Sequence, residues 1–337
     1  MSDAAKIALL FPGQGSQTIG MGRNLYDNYP AARAVFDEAD EALGFALSKL
    51  IFEGPEDQLK LTEHTQPAIL TVSVAAWRAL APELESRGLS PVFAAGHSLG
   101  EYSAHVAACT FSFADAVRTV RLRGQYMQQA VPAGEGAMAA ILGLNATLIS
   151  EICEQASDQL TPLPTTSDAK SFNPKLAVVS PANLNSPDQT VISGSTGAVH
   201  LAADLCKQAG AKRTVILPVS APFHCALMQP AQDELAKDLA ALHFDNPARP
   251  IAVNVDARLV TRADDARDCL IRQVTGAVRW VECIQLLAAQ GATHFIEVGP
   301  GKVLSGLNRQ ILGKDSAIPT LNVEDSTSLE KTLTSLH

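Results

Sequence analysis

Pro91-Val92-Phe93-Ala94-Ala95-Gly96-His97-Ser98-Leu99-Gly100-Glu101 is the stretch whose reading decides the fold. Val92 to Ala95 read as a short buried strand, and Glu101 opens a helical run. Between them Gly96-His97-Ser98-Leu99-Gly100 fits G-x-S-x-G. In such a strand–elbow–helix, a serine on a strained turn is pushed out of the sheet toward a cleft. The flanking glycines are required because a side chain there would clash with the closely approaching strand and helix. The helix N-terminus supplies unpaired N–H groups and partial positive charge where an oxyanion would form. A chance match inside a glycine-rich turn is the alternative, and the strand before and helix after it argue against that.

Outward from the elbow, strands and helices alternate on both sides of a different pattern. Lys6–Phe11 reads as a strand running into Pro12-Gly13-Gln14-Gly15-Ser16-Gln17. That turn lacks the third small residue of a dinucleotide fingerprint and the Gly-Lys-Ser/Thr of a P-loop. A helix is expected from Thr65 as N-cap, with Pro67 in its first turn, and another over Asp115–Ala130. Past the hinge-like Pro132-Ala133-Gly134-Glu135-Gly136, strands at 137–142, 176–180, 190–193 and 213–219 and helices at 146–156 and 196–209 follow in the order β-α-β-β-α-β. That is the ferredoxin-like arrangement. The Thr-, Ser- and Pro-rich stretch 158–175 reads as a long surface loop. Alternation then resumes, with a strand at 251–255, helices at 232–242, 280–289 and 303–311, and a strand at 293–298. The expectation is an α/β fold: a mainly parallel sheet with helices on both faces, an α/β-hydrolase-like core, plus an inserted ferredoxin-like subdomain. The large catalytic subdomain would comprise residues 1–132 and 218–337, and the small one residues 133–217.

Composition narrows the function classes. The 337 residues, 47% hydrophobic and 18% charged, suit a folded globule. A net charge of −9 argues against nucleic acid and against anionic membranes as partners. The six cysteines show neither C-x-x-C pairs nor zinc-ligand spacing, so they read as reduced thiols, with no metal expected. The N-terminal Met-Ser-Asp-Ala-Ala-Lys lacks the pattern of a signal peptide, and no apolar run reaches membrane-span length. A cytoplasmic protein is expected.

Serine needs a base to act as nucleophile at neutral pH. Of the eight histidines, His224 is the best placed, on the Pro-containing loop 220–224 after a strand. His97 adjoins Ser98 but points away around a sharp elbow, and His105 faces along the elbow helix in a packing or hydrogen-bonding role. The partner that orients His224 is open: Asp256 or a backbone carbonyl. On the 115–130 helix, Arg123 shares the apolar line of Ala116, Val120 and Met127, so its guanidinium faces inward. It must meet either a protein carboxylate or the anionic group of a substrate.

Phe-Pro-Gly-Gln-Gly-Ser-Gln at 11–17, Gly-His-Ser-Leu-Gly-Glu at 96–101, Arg-Gly-Gln-Tyr-Met at 123–127, Asn-Leu-Asn-Ser-Pro at 183–187, Ala-Pro-Phe-His at 221–224 and Glu-Val-Gly-Pro-Gly at 297–301 together resemble the malonyl-CoA:acyl carrier protein transacylases of type II fatty-acid synthesis. The resemblance implies that Ser98 attacks the malonyl thioester with His224 as general base and then acid. It implies an imidazole held by the backbone carbonyl of Gln273, and an oxyanion held by the N–H groups of Gln14 and Leu99. Arg123 would bind the malonyl carboxylate, with His97, Asn183, Phe223 and Met127 also at the substrate site. The Phe223 ring would crowd an α-methyl branch and favour malonyl over methylmalonyl. Malonyl-CoA and acyl carrier protein are the implied partners, with no cofactor. Because both are acidic, Lys207, Lys212, Arg213, Lys302 and Arg309 are the candidates for steering them. The competing readings are a serine thioesterase or esterase using the same elbow, and a non-catalytic binding module.

Overall fold

The computed structural model describes residues 5–160, 177–219 and 221–336. The chain divides into two compact units, Met1–Gln125 with Lys237–Leu270 and Glu282–His337, and Tyr126–Ala236 with Ile271–Val281.

The first unit is built on β1 (Ile7–Phe11), every residue of which is fully buried. A strand apolar on both faces belongs inside a sheet covered on both sides, and its neighbours are parallel. Five helices follow: α1 (Arg23–Asn28), α2 (Pro30–Leu43), α3 (Leu47–Glu53), α4 (Glu56–Leu59) and the long α5 (Thr62–Ser86). The last begins three residues before the expected N-cap Thr65, which is buried within the helix. Its cap is Leu61, whose side chain makes no capping bond. Next come β2 (Pro91–Gly96), α6 (Gly100–Ala107) and α7 (Phe113–Gln129).

In the second unit, β3 (Gly136–Leu142), α8 (Ala146–Leu160), β4 (Val179–Ser186), β5 (Gln189–Ser195), α9 (Thr196–Gln208) and β6 (Arg213–Ile216) form an antiparallel sheet in the order β4-β5-β3-β6. Counting strands within this unit, that order is 2-3-1-4, the ferredoxin-like topology expected from the pattern. Ile149, Ile152, Cys153 and Ala156 of α8 and Ala198, Val199, Ala202 and Cys206 of α9 repeat at three- and four-residue spacing. They pack on the alternating Ala139 and Ile141 of β3. The expected loop 158–175 starts inside α8, and residues 161–175, like Leu176 and Ser220, lie outside the described residues.

The chain continues through α10 (Gln229–Ala241), β7 (Ile251–Ala252), β8 (Leu259–Val260), α11 (Ala263–Arg272), α12 (Trp280–Ala289), β9 (His294–Val298), α13 (Val303–Leu312), β10 (Thr320–Val323) and α14 (Ser326–Thr334). The six-stranded sheet of the first unit runs β10-β9-β1-β2-β7-β8, parallel except for the β7–β8 pair, and helices flank it. The strand expected over 251–255 ends at Ala252. The chain turns there through Asn254 and Ala257, the latter at φ 49°, to pair β8 back on β7. Among the described residues no helix is long and apolar enough to cross a membrane.

Candidate active site

In the first unit, Ser98 sits between β2 and α6 with φ 52°, in the left-handed region. Such a conformation costs a non-glycine residue about 1–2 kcal/mol, so the surroundings must hold it. A Cβ on Gly96 would collide with the Gly100 backbone, and one on Gly100 with the Phe11 carbonyl. The elbow is therefore sealed against both its own helix and β1. Asn254 straps it: its Oδ1 accepts from Ser98 N at 2.7 Å, and its Nδ2 donates to Gly96 O at 2.7 Å. The Asn254 backbone N–H in turn donates to Glu101 Oε2 at 2.8 Å, and both residues are fully buried. Neither Asn254 nor the anchoring role of Glu101 is visible in local pattern.

The glycine turn after β1 lies against this elbow. A Cβ on Gly13 would strike the His97 carbonyl oxygen, and His97 N donates to Phe11 O at 2.9 Å. Ser16 Oγ donates to Gly13 O at 2.8 Å and Gly15 N to Gln17 Oε1 at 2.7 Å, which fixes the turn. Gln14 is exposed at its tip, while Leu99 is buried as the N-cap of α6. The Glu297-Val298-Gly299-Pro300-Gly301 segment supports the same turn from β9. Gly299, at φ 135°, leaves no room for a Cβ against Pro12 and Ser73. Buried Glu297 accepts from Leu304 N at 3.0 Å, Ser305 N at 2.8 Å and Ser305 Oγ at 2.7 Å, anchoring the start of α13. Burial raises its carboxyl pKa, and these bonds oppose the rise.

Arg123 faces inward, as its place on the α7 wheel requires, at 2% exposure. Its Nη1 donates to Gln66 Oε1 at 2.7 Å and its Nη2 to Ser98 Oγ at 3.2 Å. The guanidinium carbon lies 5.7 Å from the centroid of the Tyr102 ring. Burial lowers its pKa, and the Tyr102 hydroxyl and Glu101 carboxylate oppose that shift. An arginine keeps its charge through such a shift at neutral pH. The structure thus sets a fixed cation beside the Ser98 hydroxyl. Gln66, on α5, is a site residue that its sequence context did not announce.

In the second unit, His224 is 3% exposed at φ 59°. Its Nδ1 lies 2.9 Å from Gln273 O and 3.1 Å from Gly276 O. Two carbonyl acceptors require the proton on Nδ1, which leaves Nε2 as the basic nitrogen. The open question of the imidazole's partner is thereby answered by a pair of backbone carbonyls. Asp256, the alternative, is a first-unit residue whose Oδ2 lies 3.3 Å from Arg258 Nε. Asn183, 8% exposed, lies where β4 is irregular and forms a parallel bridge to Val278. Phe223 and Met127 are buried, at 8% and 1% exposure. Among the described residues no group of three His, Cys, Asp or Glu side chains could hold a metal ion.

A strained serine beside a buried cation suits acyl-group chemistry, and comparison with known proteins narrows the class. Residues 8–323 match the family model described as acyl transferase domain. The malonyl CoA-acyl carrier protein transacylase of Escherichia coli strain K12 is 48% identical over 307 residues, 91% of this chain and 93% of that protein. The crystal structure of an acyl carrier protein S-malonyltransferase from Vibrio cholerae superposes with a TM-score of 0.87 at 47% identity, covering 97% of this chain and 100% of that one. A malonyl-transacylase solved in complex with its type II PKS acyl-carrier protein gives a TM-score of 0.88 at 41% identity, over 98% and 100% of the two chains. The chain belongs to the malonyl CoA-acyl carrier protein transacylase family of acyltransferases.

Proposed function

We propose that the protein transfers the malonyl group from malonyl-CoA to the phosphopantetheine thiol of acyl carrier protein, through a malonyl-serine intermediate. This supplies fatty-acid elongation. The observation that carries the reading is the buried Arg123 guanidinium at 3.2 Å from Ser98 Oγ, a carboxylate receptor built next to a nucleophile. Family membership agrees with it.

In this mechanism His224 Nε2 takes the proton of Ser98 Oγ as the oxygen attacks the thioester carbonyl. The Gln273 carbonyl holds the imidazole in the required tautomer. Backbone N–H groups of Gln14 and Leu99 receive the oxyanion, and one such donor is worth about 3 kcal/mol of transition-state stabilisation. On collapse the C–S bond breaks and the imidazolium returns its proton to the departing CoA thiolate. The carrier's thiol then attacks malonyl-Ser98 by the same route in reverse, a ping-pong cycle. Arg123 binds the malonyl carboxylate throughout, with His97, Asn183, Phe223 and Met127 bounding the acyl group. We assign residues 133–217 as the small subdomain and the remainder as the catalytic one, a reading supported by the ferredoxin-like sheet. A cytoplasmic location fits six cysteines of which none forms a disulfide.

Incubation with labelled malonyl-CoA, followed by holo-acyl carrier protein, tests the proposal. A stable label on the Ser98 peptide that passes to the carrier is the expected result. Rapid release of free malonate would identify a thioesterase instead, and no label at all would leave a binding module.

A further inference from the structure

Arg123 and its partner Gln66 stand on different helices, α7 and α5, brought together by a glycine. A Cβ on Gly124 would collide with Thr62 O and the Glu63 backbone, so the residue after Arg123 lets the helices touch. Gln66 is 2% exposed, and its Oε1 accepts from Arg123 Nη1 at 2.7 Å. The carboxylate on the same helix, Glu63, accepts from the Gln125 amide at 2.9 Å. In both pairs an amide meets a charged group. A neutral acceptor holds a guanidinium in place without cancelling its charge, whereas a carboxylate at the same distance would neutralise it.

We propose that Gln66 is a specificity-determining residue: its uncharged amide oxygen fixes Arg123 toward Ser98 without adding a second carboxylate to Glu101, whose charge already acts on the guanidinium, so that positive charge remains for the carboxylate of the acyl substrate. Gln66 acts through Arg123 and is a positioning residue. The proposal rests on the reading of Arg123 as the carboxylate receptor, and the variants separate the two claims.

Gln66→Glu keeps shape and acceptor and adds one negative charge; Gln66→Met keeps shape and removes the acceptor without adding charge. Rates of Ser98 acylation by malonyl-CoA and acetyl-CoA are measured for both, for Arg123→Ala and for the unaltered protein. The malonyl-to-acetyl ratio of kcat/KM is expected to fall roughly 100-fold in Gln66→Glu. In Gln66→Met it should fall less than about tenfold, with malonyl KM raised, because the charge survives though its aim is loosened. Equal losses in the two variants would show a packing role and overturn the proposal. An unchanged ratio in Gln66→Glu, with the ratio collapsed in Arg123→Ala, would refute Gln66 alone. An unchanged ratio in Arg123→Ala would remove the carboxylate receptor and the proposal together. Should Gln66→Glu fail to fold, Gln66→Met decides: a preserved preference with raised KM supports the assignment, and a collapsed preference sinks it.

Discussion

Two histidines show how one residue type takes opposite roles from its surroundings. His224 turns Nδ1 to the carbonyls of Gln273 and Gly276, which leaves Nε2 as the basic nitrogen, the one proposed to take the Ser98 proton. His224→Ala should therefore slow acylation of Ser98 by about two orders of magnitude or more, measured by single-turnover labelling. A near-normal rate would return the base to His97. His105 is fully buried, stacked on Phe111 with ring centroids 5.7 Å apart, and its Nδ1 lies 3.1 Å from Thr110 Oγ1. Burial pushes its imidazole down to about 3 from the ordinary 6.5. Between those values the unfolded chain binds a proton that the native protein refuses, so stability falls as pH drops through that window and is insensitive to this group above it. Denaturant melts of His105→Gln between pH 7 and pH 4 should show a shallower acid loss than the unaltered protein. An equally steep loss would assign the acid limb to carboxylates.

Elements position these residues through their ends rather than their middles. The elbow joins the C-terminus of β2 to the N-terminus of α6, and the turn carrying Gln14 leaves the C-terminus of the adjacent parallel β1. Parallel strands deliver their C-terminal loops to one edge, which is where open α/β sheets gather ligands. Gly100→Ala would drive a Cβ into the Phe11 carbonyl and force the elbow apart. It should lower stability by about 1–3 kcal/mol and suppress labelling of Ser98 more than the melting shift accounts for. Normal labelling would mean the elbow tolerates the strain. Farther away, Asp325 caps α14 by accepting from Ser328 N at 2.7 Å, within a capping box. Asp325→Ala should reduce stability by about 1 kcal/mol in a urea melt and leave acylation intact.

On the scale of the whole molecule, charge is the difficulty: a chain of net −9 must receive an acidic carrier and an anionic thioester. Lys207 in the last turn of α9, with Lys212 and Arg213 at the start of β6, are exposed and close together in sequence in the second unit. Lys302 lies 3.2 Å from Glu324 Oε1, and that carboxylate offsets its field. The α9–β6 trio is therefore the better candidate for steering. The double change Lys212→Glu and Arg213→Glu should lower kcat/KM for the carrier by about tenfold at low salt, with the difference shrinking as salt rises. No change at low salt would exclude this edge as the docking surface.

Sequence by itself determined the alternation of strands and helices, the elbow, the inward arginine and the histidine loop. Each is written in neighbours a few positions apart, where steric demand and helical or strand periodicity act directly. Tertiary structure alone decided what holds them. Asn254, read as a strand residue, leaves the ladder and bonds Ser98 across 156 positions. Gln66 meets Arg123 across 57. Gln273, which the family resemblance implied though no local pattern did, meets His224 across 49. The α2 helix, by contrast, carries local signals of its own: Pro30 in its first turn, buried Ala32, Val35, Phe36 and Ala39 at helical spacing, and the left-handed Gly44 that ends it. A hydrogen bond between distant residues leaves no periodic trace in the chain, because its partners are chosen by the packing of whole elements.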